Sequence, residues 1–136
     1  MKKKLLTLLT LSPLLLGGCV FSKYKAFILK TTKTTSYGSI EFDSFEGQYV
    51  FKLKRTEAGE GAIKFTASLG EGHVEVSFST FASSGYQKMF EINAGETLNA
   101  YSGYLEKGYR VTIIVKSEGK VSNGSFTFDA NFDLND

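Results

Sequence analysis

Tryptophan is absent, and cysteine, proline and histidine occur once each, as Cys19, Pro13 and His73. A single cysteine excludes a disulfide within the chain and any cysteine-based metal cluster, so stability has to come from packing. The lone histidine has no G-x-S-x-G elbow or other nucleophile motif to work with, which leaves no triad to assemble. No window repeats with a helical period, and no apolar run reaches the roughly 20 residues needed to span a bilayer. What the chain does hold is twelve Phe, seven Tyr and 14 Gly among 136 residues. Aromatic and turn-rich composition of this kind favours β-structure.

The first residues, MKKKLLTLLTLSPLLLGGC, have the layout of an export signal: three lysines, an apolar stretch from Leu5 to Leu16, then two glycines. An ordinary secretory signal more often ends in an A-x-A site than in a cysteine directly after two glycines. Leu16-Gly17-Gly18-Cys19 resembles the lipobox of bacterial lipoproteins, a leucine, small residues and then cysteine. The resemblance implies that residues 1–18 are a signal peptide cut before Cys19, and that its thiol carries a diacylglycerol. It also implies further acylation, such as palmitate, on the new amino terminus. The expected location is the extracytoplasmic face of the cell membrane. Two or three acyl chains anchor stably, each buried methylene contributing about 0.8 kcal/mol.

Removal of residues 1–18 takes away Lys2, Lys3 and Lys4, leaving 13 basic against 14 acidic residues and a net charge of −1. Such a balance gives no general attraction to nucleic acid. The remaining 118 residues, 136 less 18, suit one domain with a single core. Residues 19–23 are a short tether and residues 24–136 the domain.

From Tyr24 onward the hydrophobic period is two. Ser36 to Asp43 alternates with Ile40 and Phe42 on one face; Phe45 to Arg55 alternates with Phe45, Tyr49, Phe51 and Leu53 inward. Ile63, Phe65, Ala67 and Leu69 form one arm of a hairpin whose other arm holds Val74, Val76 and Phe78. About eight or nine short strands with turn signals roughly every ten residues predict an all-β, antiparallel β-sandwich of jelly-roll type. The alternation of Tyr109–Lys116 and Ser125–Phe132 predicts that these two strands pair, setting Arg110 opposite Asp129.

Candidate sites each stand beside an ordinary explanation. Tyr101, Tyr104 and Tyr109 fall within nine residues and can stack on sugar rings, with Asn99, Glu106 or Arg110 supplying polar contacts. The plainer alternative is that Tyr109 begins a strand in the core. Val50, Phe81 and Ile114 are apolar at outward positions and mark a possible protein-partner surface, although scattered exposed apolar residues need no explanation. His73 shares a strand face with Glu71 and Glu75, which suits charge pairing beside a turn better than a metal. The same-face pairs Glu41/Asp43 and Asp129/Asp133 read as solubilising charge rather than a glycosidase pair. Lys52, Lys54 and Arg55 can face anionic headgroups or wall polymers. No catalytic residue, metal or cofactor is expected. The expected partners are the membrane, through the anchor, and either a glycan or a surface protein.

The segment FEINAGETLNAYSGYLEKGYRVTIIVKSEGKVSNGSFTFDANF also resembles the closing half of small β-sandwich lipoproteins of Gram-positive bacteria. That resemblance implies the sandwich and the surface location, and it transfers no catalytic or ligand residue.

Overall fold

The computed structural model describes residues 21–80 and 85–134, so Cys19 and Phe81 lie outside the described residues. Alternating sequence becomes eight strands, with no helix among the described residues: β1 Lys23–Lys33, β2 Tyr37–Lys54, β3 Gly61–Glu71, β4 His73–Thr80, β5 Gln87–Asn93, β6 Thr97–Leu105, β7 Arg110–Ser117 and β8 Val121–Asp133. The pairing is that of a long antiparallel ribbon folded over on itself. Along the ribbon β4 pairs β5, β3 pairs β6, and β2 pairs β8 and then β7. Folding over adds β3 to β8 and β4 to β7, while β1 joins the other edge of β2. The order β5-β4-β7-β2-β8-β3-β6 is that of a jelly roll.

Three expectations fail here for identifiable reasons. Ser36–Asp43 and Phe45–Arg55 are not separate strands but one strand of 18 residues, β2. What changes between them is which side faces in: Ile40 and Phe42 are buried before Asp43, and Phe45, Tyr49, Phe51 and Leu53 after it. No register is lost, because the neighbours switch together. In the row containing Asp43, Ile28 of β1 and Asn123 of β8 both have positive φ, 52° and 56°. The sheet creases along that row. The second failure is the hairpin expected between Ile63–Leu69 and Val74–Phe78: β3 and β4 share no ladder, because the chain crosses between layers at Gly72 and β3 pairs β6 and β8 while β4 pairs β5 and β7. The third is the hairpin between β7 and β8. Both strands run antiparallel to β2, so they lie in the same direction and cannot pair as a hairpin; Arg110 stands opposite Lys54, and Asp129 opposite Tyr37 and Lys64.

The crease lets β2 serve both layers. A Cβ on Gly38 would sit 2.5 Å from the Phe51 ring, so the start and the end of this strand pack face to face only because residue 38 has no side chain. Between the layers, Phe65 stacks on Phe90 at 4.5 Å, Phe90 faces Phe126 at 6.4 Å, and Phe51 meets Phe128 at 5.6 Å. Each fully buried Phe contributes about 2–3 kcal/mol, and these rings tie the two layers together.

Arg55 also closes the interior, which overturns its expected role at the surface. It continues the odd, inward positions of β2 and is fully buried. Its guanidinium donates to the carbonyls of Phe132 at 2.9 Å, Ala58 at 3.1 Å and Ala130 at 3.4 Å. Burial of a cation is tolerable where backbone dipoles surround it in this way.

Candidate functional site

The layer β1-β2-β8-β3-β6 turns its aliphatic and aromatic positions inward, so period two turns its hydroxyls out. Register then aligns them in rows. Thr32, Ser39, Thr127, Thr66 and Asn99 run side by side across all five strands. Lys30, Glu41, Ser125, Ser68 and Thr97 form the next row. A third row carries Tyr37, Asp129, Lys64 and Tyr101. Thr66 and Thr127 bond hydroxyl to hydroxyl at 2.5 Å, and the Asp129 carboxylate accepts from the Asn131 N–H at 2.8 Å. The outcome is a continuous polar face with donors and acceptors at strand spacing.

Two depressions mark this face. One of about 290 Å³ lies toward β1 and is lined by residues including Lys30, Glu41, Asp43, Ser68, Asn123 and Ser125. The other, about 480 Å³, lies at the β6 end, between Lys64, Asn99, Ala100, Tyr101 and Phe132. Tyr101 is 56% exposed, and its ring leans on Phe132 at 5.1 Å. The Lys64 ammonium sits 5.3 Å from the same Phe132 ring, so lysine and tyrosine are both held against one aromatic side chain.

The three expected tyrosines separate. Tyr101 and Tyr104 are both exposed, because Gly103 adopts a φ of +80° between them and shifts the register of β6 against β3. Without that turn, residues 101 and 104 would point to opposite sides. The Tyr104 hydroxyl donates to Glu106 at 3.2 Å. Partial desolvation, with the Glu106 carboxylate beside it, holds this phenol above the usual tyrosine range. Tyr109 is half-buried against the core. Of the expected polar helpers, Asn99 lines the Tyr101 depression, Glu106 serves Tyr104, and Arg110, on β7, stands opposite Lys54 of β2. Phe132, Lys64 and the hydroxyl rows were not singled out from sequence. Their only signal was alternation, which does not reveal strand order.

Val50 and Ile114 are opposed across β2 and β7, yet Val50 is 5% exposed and Ile114 half-buried, which corrects the expectation for Val50. The residues before β1 run beside it: the Val50 N–H donates to Ser22 Oγ at 2.9 Å, and Gln48 Nε2 to the Phe21 carbonyl at 3.0 Å.

His73 does not pair with Glu71 or Glu75. Its Nδ1 lies 2.7 Å from Asn93 Oδ1 and its Nε2 3.1 Å from Glu91, with Lys88 also pairing Glu91. The hydrogen bond to Asn93 raises the imidazole above its ordinary value against an opposing desolvation, with lesser help from the charges of Glu91, Glu118 and Glu75. Among the described residues no group of three or more His, Cys, Asp or Glu side chains is arranged to hold a metal.

No family model and no curated protein matches this chain. Among solved structures it is similar to TmCBM61 in complex with β-1,4-galactotriose, at 13% identity over 80% of this chain and 84% of that one, with a TM-score of 0.40. It is also similar to the Drosophila melanogaster CENP-C cupin domain, at 11% identity over 81% and 69%, with a TM-score of 0.34.

Proposed function

We propose that the chain is a lipid-anchored, non-enzymatic binding module on the extracytoplasmic face of a cell membrane, and that its ligand is a hydroxyl-rich polymer such as a glycan. The observation that carries this reading is the polar face itself, with Ser39, Thr66, Thr127 and Asn99 in one row and Tyr101 exposed at its end. Hydroxyl and amide groups at strand spacing satisfy sugar hydroxyls, and an exposed ring held by Phe132 supplies a stacking plane. The surface-protein alternative loses support because Val50 is covered.

The test is a titration of the purified chain with oligosaccharide and cell-wall glycan panels, read by tyrosine fluorescence. Tyr101→Ala weakens binding about tenfold by loss of stacking, and Thr66→Val with Thr127→Val weakens it further, with the melting temperature nearly unchanged. Absence of binding to every glycan presented overturns the ligand class. Separately, Cys19→Ala abolishes lipid labelling and membrane retention; a labelled, membrane-bound Cys19→Ala chain overturns the anchor.

A further inference from the structure

β1 carries side chains that a free edge strand ordinarily hides. Phe27 and Ile28 are 63% and 54% exposed, although both are large and apolar. Two neighbouring residues share this exposure because the positive φ of Ile28 interrupts the alternation: on one side of the kink the Tyr24 ring, itself 41% exposed, stacks on Phe45, and on the other Leu29 packs against the core. Around the two apolar tips stand Lys25 and Lys120, which line a depression with Phe27 and Glu46, and Lys30, which lines another with Ile28, Glu41 and Asp43. Lys23 is two residues along. The strand contains four lysines and no acidic residue; Glu41 and Glu46 stand opposite Lys30 and Lys25 on β2, one strand in from the edge.

We propose that the outward face of β1 lies against an anionic bilayer, with Phe27 and Ile28 entering the interfacial region and Lys23, Lys25, Lys30 and Lys120 meeting lipid phosphates. Aromatic and aliphatic tips ringed by lysine suit that boundary. A second copy of the chain fits the edge poorly, because antiparallel self-pairing sets lysine against lysine with no acid to answer. Cys19 precedes β1 by only four residues, so an acyl chain there and the face of β1 reach the same surface. β6 and Tyr101 stand four strand spacings from β1, roughly 19 Å across the sheet. The docking shares only the anchor with the glycan reading and requires no sugar.

The experiment is amide hydrogen exchange of the full chain mixed with excess vesicles, either phosphatidylcholine alone or phosphatidylcholine with phosphatidylglycerol. On the anionic vesicles exchange across Lys23–Lys33 slows by on the order of tenfold, and the effect fades in high salt. Lys25→Glu with Lys120→Glu removes it, each lysine being worth roughly fivefold in partitioning, and so does Phe27→Ser with Ile28→Ser. Lys52→Glu, in the other layer, leaves it in place. Equal exchange on both vesicle types overturns the proposal, as does equal loss with Lys52→Glu or protection that grows with protein concentration in the absence of lipid. Failure of the chain to stay on neutral vesicles after a salt wash overturns the anchor alone, since docking is read on anionic vesicles in excess.

Discussion

β1 and β6 are the two edges of one layer, and they differ in almost every side chain they present. β1 offers lysine, Phe27 and Ile28; β6 offers Asn99, Tyr101 and Tyr104. Each is interrupted once by a residue at positive φ, Ile28 on one and Gly103 on the other, and each interruption exposes a second large side chain that regular alternation would have turned inward. An edge strand packs on one face and pairs on one side, so its outer residues are released from the demands of the core. The composition of an edge is therefore free to vary, while the inward residues of β8 between them are fixed by packing.

That contrast breaks most visibly at the centre. Phe128→Ala on β8 removes a fully buried ring that meets Phe51 and should lower unfolding free energy by about 3–5 kcal/mol in urea denaturation. A loss no greater than that from Tyr101→Ala would mean that centre and edge are not energetically distinct.

The two kinks should respond with opposite signs. Gly103→Ala forces a Cβ into the left-handed region and to 3.2 Å from the Phe78 ring, costing about 1–2 kcal/mol. Ile28→Asn places a residue that tolerates the same region where a β-branched one now sits, and should raise stability by about 0.5–1 kcal/mol. Thermal melting of both variants checks this; destabilisation by Ile28→Asn would show that the Ile28 side chain contributes more to packing than its backbone costs.

The smallest effect lies away from both edges, in the other layer. A folded-state pKa raised above the unfolded value makes His73 stabilising when protonated. That contribution is complete below the ordinary imidazole value and is lost as pH rises through the higher folded value. His73→Gln should flatten the slope of stability against pH in that window, as measured by denaturant midpoints. An unchanged slope would assign the pH dependence to other groups.

Much of this molecule was legible along the chain. Inward positions such as Ile63, Phe65, Phe126 and Phe128 follow from period two, and even the burial of Arg55 is foreshadowed by its odd position after Tyr49, Phe51 and Leu53. The candidate site was legible only in part. Tyr101 and Tyr104 were visible as aromatics near a glycine, but the rows that join Thr32 on β1 to Asn99 on β6 draw on segments 67 residues apart in sequence.

By itself, then, the sequence determined the strand class and most of the inward positions of the central strands, because alternation and composition are local properties. Tertiary structure decided which strands became edges, where the sheet creased along Ile28, Asp43 and Asn123, and which hydroxyls became neighbours. Those outcomes depend on long-range register and on rings such as Phe51 and Phe90 packing between layers, a choice that no single strand encodes.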